Sequence, residues 1–343
     1  MTIKNNTILV TGAAGYIGSH ICAALLSEKY SVLGVDNLSN SSLEAIRRAE
    51  RCGDGKIDFH RIDVGDRPAL DRLLQAHSVD AVIHCAGLKI MSESVQQPLR
   101  YFHNNVSATV TLLQALQQHG VRNFVFSSSA AVYGAPATVP IAETAALRAS
   151  NPYSQSKLMA EQVLADLGAA DSSWAIGVLR YFNPVGAHVS GIMGEASRTM
   201  ADNLLPAMAR VASGQQAMLP VFGGDYPTAD GTGVRDYIHV TDVADAHIAA
   251  LRYLFGNRRG FTVNLGTGRG YSVLEMLDAF EAVSVRRIPY EIRARRAADA
   301  ASCYADPAQA SRLLGWRAGK GLADMCADHW RWHSQNPQGY GDN

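Results

Sequence analysis

At 343 residues and 47% hydrophobic, the chain is long enough for two lobes, or for one large α/β unit with an appendage, around a sizeable core. Lys+Arg and Asp+Glu number 31 each, and a formal charge of zero argues against nucleic acid or an acidic membrane as partner. No apolar run is long enough to span a bilayer, and the first residues lack the pattern of a signal peptide. Five scattered cysteines, Cys22, Cys52, Cys85, Cys303 and Cys326, form no CxxC or His-spaced metal cluster. A reduced, cytoplasmic enzyme without a metal is the expectation.

Thr7 to Thr11 is short, apolar and β-branched, and reads as a buried parallel strand. It runs into Gly12-Ala13-Ala14-Gly15-Tyr16-Ile17-Gly18 and then a helical stretch through Leu26. Strand, glycine turn and helix is the dinucleotide-binding arrangement. Gly12 suits the tight turn, and Gly15 lets backbone approach a pyrophosphate held at the helix N-terminus. Gly18 permits close packing of helix on strand. A second strand, Ser31 to Val35, ends at Asp36. A carboxylate there is placed for an adenosine ribose 2′-hydroxyl and would repel a 2′-phosphate, so NAD is favoured over NADP.

More βα units follow. Ile57 to Ile62 reads as a strand, with Asp63 and Val64 at its end facing an adenine. Ala81 to Cys85 is the next strand, and Ala86-Gly87-Leu88-Lys89 leaves room for a cofactor at its carboxyl end. His84 and Cys85 read as ordinary core-strand residues. A long helix is expected from about Ser94 to Gln118, carrying Asn104-Asn105. The strand Asn123 to Phe126 delivers Ser127-Ser128-Ser129 to the sheet's carboxyl edge, where α/β sheets hold ligands.

Asn151-Pro152-Tyr153-Ser154-Gln155-Ser156-Lys157 opens a helix, because proline suits the first turn. Leu158, Met159, Val163 and Leu164 are its candidate core positions. Tyr153 and Lys157 share a face four residues apart. A tyrosine of ordinary pKa about 10 must fall by roughly 3 units to act as a base near neutrality. That costs about 4 kcal/mol, which one cation about 4 Å away supplies at an effective dielectric of about 20. Lys157 is therefore expected to depress the Tyr153 pKa, with Ser129 at the same substrate hydroxyl.

The GxxGxxG spacing with Ser129, Tyr153 and Lys157 resembles the extended short-chain dehydrogenase/reductase superfamily. Further stretches are similar to the UDP-glucose 4-epimerase (UDP-galactose 4-epimerase) family: Tyr16 to His20, Asp36 to Leu38, Ala86 to Lys89, Arg180 to His188, Asp225 to Thr228, Gly231 to Val240 and Asn264 to Gly266. The likeness runs from the first strand to the Pro337 to Tyr340 tail. It implies an α/β fold with a Rossmann-type doubly wound parallel sheet and a smaller α/β substrate lobe. Residues 1–182 would form the NAD-binding domain, with 236–264 returning to it. Residues 183–343 would be mainly the UDP-sugar-binding lobe, with helices near Asn203 to Ala212, Ser272 to Ala282 and Gly321 to Trp332.

The resemblance also implies roles. Tyr153 is the base, Lys157 binds the nicotinamide ribose, and Ser129 shares the proton path. Gly12, Gly15, Tyr16, Ile17, Gly18, Asp36, Asn37, Leu38, Ser39, Asn40, Ser41, Asp63, Val64, Cys85, Ala86, Gly87, Leu88, Lys89, Asn104 and Phe182 would line NAD beside Ser129, Tyr153 and Lys157. Asn183, Asn203, Leu219, Pro220, Val221, Arg235, Arg296 and Asp299 would hold the UDP-sugar, with Lys89, Ser129 and Tyr153 at the sugar. Arginine suits a pyrophosphate through its fork of donors. Two stretches depart from the family: Arg296-Ala297-Ala298-Asp299 lacks a glycine, and Arg198 to Asp202 lacks a proline and a paired asparagine. Cys303 stands where family members restricted to glucose and galactose carry tyrosine, which implies that N-acetylated sugars also fit. A homodimer pairing the helix after Ser94 with the Tyr153 helix is the family's usual assembly. Alternatives are another nucleotide-sugar epimerase or dehydratase of the superfamily, or a non-catalytic NAD-sensing protein. A 4,6-dehydratase would carry Asp-Glu after Ser129, where this chain has Ala130-Ala131.

Overall fold

The computed structural model describes residues 6–196, 203–296 and 299–341. In chain order the first part alternates β1 (Thr7–Thr11), α1 (Tyr16–Ser27), β2 (Ser31–Asp36), α2 (Leu43–Gly53), β3 (Ile57–Arg61), α3 (Arg67–Ala76) and β4 (Ala81–His84). Then come α4 (Met91–Gln96), α5 (Pro98–Phe102), α6 (Ala108–Gln118), β5 (Asn123–Ser129), α7 (Pro152–Ala170) and β6 (Ala175–Tyr181). The rest comprises β7 (Asn183–Val185), α8 (Leu204–Ala212), β8 (Leu219–Phe222), β9 (Val234–Arg235), β10 (Tyr237–His239), α9 (Val240–Asn257) and β11 (Phe261–Leu265). It closes with β12 (Tyr271–Ser272), α10 (Val273–Ser284), β13 (Tyr290–Arg293), β14 (Ser302–Cys303), α11 (Ala308–Leu314) and α12 (Leu322–Gln335).

Seven strands form one parallel sheet in the order β11-β6-β5-β4-β1-β2-β3. This is a Rossmann-type doubly wound sheet, and its order reverses between β1 and β4. Period-2 alternation sends Ile8, Val10, Ile83, Val125 and Leu179 to one face, packed with α1 and α9. Leu9, Leu33, Val82, Phe124 and Phe126 go to the other face, with residues of α3, α6 and α7. Each fully buried Leu, Ile or Phe contributes about 1.5–3 kcal/mol relative to exposure. The crevice at the β1/β4 reversal, beyond the strands' carboxyl ends, is where such sheets take ligands.

The segment after β6 leaves the sheet, and β11 brings it back beside β6. A separate core gathers Leu205, Met208, Leu219, Val221, Phe280, Ile288 and Met325 from α8, β8, α10 and α12. A capping box of Ser272 and Glu275 starts α10.

Two local expectations need correction. The stretch 94–118 is not one helix. It breaks at Gln97, because Pro98 has no N–H and disfavours helical backbone in the residue before it. A π-helical turn, His103–Ser107, then joins α5 to α6. Met159 is 39% exposed and is not a core residue, whereas Leu158 and Leu164 are buried.

Candidate active site

The helix α7 begins where its sequence dictates. Asn151 Oδ1 accepts the Ser154 N–H at 2.9 Å, with Pro152 at the first turn. Tyr153, Lys157 and Glu161 then recur every four residues, on one stripe facing the end of β5. The stripe meets the three serines in turn. Tyr153 faces Ser129, whose hydroxyl favours the phenolate, Lys157 Nζ donates to the Ser127 carbonyl at 2.8 Å, and Ser128 Oγ donates to Glu161. Glu161 in turn holds Arg180 of β6 through Nη2 at 2.6 Å and Nε at 3.0 Å. Sequence reading assigned Glu161 no role, although its i+8 spacing from Tyr153 was the available signal.

Electrostatics at this stripe differ from the expectation. Burial pushes the Tyr153 phenol above its ordinary value, while the Ser129 hydrogen bond and the Lys89 charge pull it down. Lys89 is a cation acting on Tyr153, while the Lys157 ammonium is directed at the Ser127 carbonyl. Burial lowers the Lys157 pKa to about 8, with Cys85 and Glu161 opposing.

Lys89 sits in a built setting. Its Nζ lies 2.8 Å from Oε1 of the buried Glu195 and 5.9 Å from the Tyr16 ring centre. Glu195 also accepts Asn203 Nδ2 at 3.0 Å. Burial works against the Glu195 charge, but Lys89 outweighs it and holds the carboxyl below its usual range. Glu195 was missed in the sequence, because nothing local distinguishes it from a surface acid. Its partners are 106 and 8 residues away.

The glycine loop is as tight as its spacing suggests. Gly12 has φ +70°, and a Cβ on it would stand 2.7 Å from the Ala86 nitrogen. A Cβ on Gly18 would stand 2.0 Å from the Gly12 carbonyl oxygen. Gly15 caps α1 without a side-chain bond, so no side chain blocks the N-terminus of the helix that Tyr16, Ile17 and Gly18 begin. Asp36, at the end of β2, accepts from Ala14 N at 3.1 Å, Leu38 N at 2.8 Å and Ser41 Oγ at 2.8 Å. Asn37 Nδ2 reaches Asp63 Oδ2 at 2.8 Å, and its Oδ1 accepts Ser39 N. Asn40 belongs to the same turn, and Val64 is buried beside it in sequence after Asp63.

Across the reversal, Leu88 N donates to both Asn104 Oδ1 and Asn105 Oδ1, at 3.2 and 2.8 Å. Asn105 Nδ2 donates to Ser156 Oγ of α7 at 2.9 Å. The π-helical turn thus holds the Ala86 to Lys89 loop against α7, and π-bulges commonly mark functional positions. A Cβ on Gly87 would lie 3.5 Å from Lys157 Nζ. Cys85 Sγ lies 3.0 Å from Ser127 Oγ, and burial pushes its thiol up to about 11. Both His84 ring nitrogens are engaged, by Thr11 at 2.7 Å and Thr109 at 2.9 Å, and burial lowers its pKa to about 3. His84 is therefore a satisfied core residue.

In the second part of the chain, Arg235, Asp299 and Cys303 meet. Cys303 pairs with Arg235 across β14 and β9, and Arg235 Nη2 lies 3.7 Å from Asp299 Oδ1. Arg296 stacks on Phe222 at 3.9 Å. Cys303 packs against the buried cluster that includes Ala130, Leu158 and Phe182, next in sequence to Ser129, Lys157 and Asn183. Asn183 is exposed at the start of β7. Leu219 and Val221 point into the local core, so only their backbone and the Pro220 ring remain for a ligand. Of the two family departures, Ala297, Ala298 and 198–202 lie outside the described residues.

The sequence profile of the NAD dependent epimerase/dehydratase family matches residues 8–266. The chain belongs to that family. Within this epimerase/dehydratase family, a UDP-glucose 4-epimerase of Bacillus subtilis (strain 168) is 53% identical over 333 residues, covering 97% of this chain and 98% of the relative. The structure of a UDP-glucose-4-epimerase from Stenotrophomonas maltophila, with bound NAD and formylated UDP-arabinopyranose, superposes with a TM-score of 0.95 at 48% identity. It covers 97% of this chain and 99% of that one. A Bifidobacterium longum UDP-glucose 4-epimerase in complex with NAD+ and UDP gives a TM-score of 0.93 at 45% identity, over 97% and 100% of the two chains. The likeness read from scattered motifs therefore holds over nearly the whole chain.

The glycine geometry generates a test. Gly18→Ala puts a Cβ 2.0 Å from the Gly12 carbonyl oxygen and forces the loop to move by on the order of an ångström. It is expected to cost about 1–3 kcal/mol of stability, as overpacking does, and to lower the NAD carried by the purified protein. Chemical denaturation and cofactor release on acid treatment measure both. Unchanged stability with full NAD content would refute the close-approach argument.

Proposed function

We propose that this chain is a UDP-glucose 4-epimerase that interconverts UDP-glucose and UDP-galactose through a 4-keto sugar, with NAD as its cofactor. The observation that carries the reading is a buried phenol, Tyr153, facing Ser129 and under the influence of Lys89, at the carboxyl edge of the sheet beside the glycine loop. The residues fit NAD: an α1 N-terminus free of side-chain caps for the pyrophosphate, Asp36 for the ribose and Lys157 for the second ribose. When bound, NAD supplies a reversible hydride acceptor at this site.

Tyr153 removes the proton from the sugar 4-hydroxyl through its bond with Ser129, and returns it after the keto sugar has turned its other face. Lys89 favours the phenolate electrostatically, and Glu195 fixes where the Lys89 charge sits. Arg235 and Arg296 anchor the diphosphate, with Asp299 orienting Arg235, while Asn183, Asn203 and the backbone of Leu219 to Val221 complete the nucleotide site. A firmly held nucleotide with a loosely held sugar lets the keto intermediate rotate without escaping. Tyr153→Phe is expected to lower epimerisation by about 10²–10⁴-fold while bound NAD is retained, the range for removing a general base. Turnover close to wild type would eliminate Tyr153 as the base.

We extend the substrate range to UDP-N-acetylglucosamine and UDP-N-acetylgalactosamine. A cysteine at 303 leaves volume that a phenol would fill, and burial raises its thiol to about 11, so it stays neutral and uncharged beside the sugar. Cys303→Tyr is expected to cut kcat/KM for the N-acetylated pair by roughly tenfold or more, as occluding a pocket does, and to spare UDP-galactose. Parallel coupled assays decide it, and equal effects on both sugars, or no N-acetyl activity in wild type, would end the extension.

The working unit in this reading is a cytoplasmic homodimer. Met91, Val95, Leu99 and Met159 are 49, 64, 81 and 39% exposed on α4, α5 and α7, an apolar surface that a second copy would cover. No helix among the described residues is long and apolar enough to cross a membrane. Leu99→Glu is expected to shift the sedimentation coefficient from dimer to monomer, and a wild-type profile for that variant would rule out this face.

A further inference from the structure

We propose that Asp58, His60 and His77 form a binding site for one first-row divalent transition-metal ion, of which Zn²⁺ is the natural test case. Asp58 and His60 are two apart on the edge strand β3, and their register partners on β2 are Leu33 and Val35. Those partners belong to the apolar core under α3. On the edge strand the same face therefore presents ligating groups where core hydrophobes would continue the pattern. His77 follows α3 directly, held by its N–H on the Leu73 carbonyl at 3.1 Å. The fold thus brings a ligand 17 residues further along the chain back over the strand that carries the other two.

The three ligand atoms lie within 4.8 Å of one another. His60 Nε2 is 3.0 Å from Asp58 Oδ1, and His77 Nδ1 is 3.6 Å from Asp58 Oδ2. A tetrahedral ion with bonds of about 2.0–2.1 Å sets its ligands about 3.3 Å apart; the two imidazoles here approach different oxygens of Asp58, so ligation takes side-chain rotation onto one oxygen or a carboxylate that binds through both. Hydrogen bonding does not account for the cluster. His60 Nε2 is buried without a hydrogen-bond partner despite the nearby carboxylate, because the contact is misaligned, and 3.6 Å is too long for a hydrogen bond. The imidazole nitrogens converge near the carboxylate rather than on it. A cavity of about 450 Å³ beside His60 and His77 has room for water at a fourth position. Arg61 and Arg72 line that cavity, and so do Asp63 and Asp66, so their charges offset one another. With three protein ligands, the affinity expected is micromolar rather than that of a closed four-ligand site.

Such an ion would tie the C-terminal end of α3 to the open edge of the sheet. It shares no residue with the candidate active site and takes no part in the epimerase reading. Sequence spacing hid it, because Asp-x-His with a third ligand 17 residues on matches no compact metal motif.

The test uses tag-free holoenzyme stripped by chelation and titrated with Zn²⁺ against a chromophoric competitor, then with Co²⁺ while visible absorption is followed. One Zn²⁺ per chain, visible cobalt bands and a melting temperature raised by Zn²⁺ are expected. His77→Gln and Asp58→Asn should each weaken binding by at least about tenfold, as loss of one of three ligands does. Circular dichroism reports whether each variant is folded. The more exposed Asp58→Asn serves if His77→Gln is not. Absence of saturable binding, or wild-type affinity in the folded variants, would leave these residues as charges protecting a sheet edge and overturn the site.

Discussion

The buried Arg180–Glu161 pair fixes how α7 meets the sheet. Arg180 projects from β6 and Glu161 from α7, and both are over nine-tenths buried. Removing two such charges from water costs several kcal/mol per ion, and good geometry with further hydrogen bonds is needed to offset it. The surroundings supply them: Arg180 Nη1 donates to Tyr133 Oη at 2.9 Å and to the Glu143 carbonyl at 3.2 Å, while Ser128 donates to Glu161. A hydrophobic pair could hold α7 as strongly but would tolerate rotation about its axis. The bidentate pair does not. Because Tyr153 and Lys157 stand on the stripe that ends at Glu161, fixing Glu161 against β6 sets the direction of both. One residue of slippage would turn them about 100° away from β5, given 3.6 residues per turn.

Orientation being set, the remaining problem is charge. Burial disfavours a phenolate, and Ser129 and Lys89 offset it in part. The opposing charge arrives from another crossover, on the loop after β4, and that loop is clamped to α7 through Asn105 and Ser156. Glu195 then competes for the same ammonium. The environment of Tyr153 thus draws on burial, on Ser129 and on Lys89, whose own charge Glu195 holds in place.

Much of this was legible in the chain and some was not, for identifiable reasons. The β1–Gly12–Gly18–α1 unit and Asp36 are written in contiguous residues whose conformations are dictated locally, by glycine sterics and strand alternation. Tyr153, Lys157 and Ser129 could be grouped because helix periodicity and the carboxyl-edge rule act over short spans. Periodicity could not reveal that Lys89, 64 residues before Tyr153 in the chain, also acts on the phenol. It also placed Met159 in the core, because an apolar residue adjoining a buried stripe looks the same whether it faces protein or solvent. Glu195, the π-helical turn and the Asp58–His60–His77 group depend on contacts between distant segments, and composition carries no trace of them.

The return of β11 to the sheet also has a consequence for autonomy. Residues up to Tyr181 supply six of the seven strands, yet the flank of β6 is covered only when Phe261–Leu265 arrives, and α9 must come with it to cover α1. A polypeptide ending near Phe182 would leave a mostly apolar strand, β6, with its backbone donors and acceptors bare along one side, a template for pairing with other chains. The sheet therefore cannot mature until most of the protein has been synthesised, and the distal segment is woven into the sheet rather than appended to it.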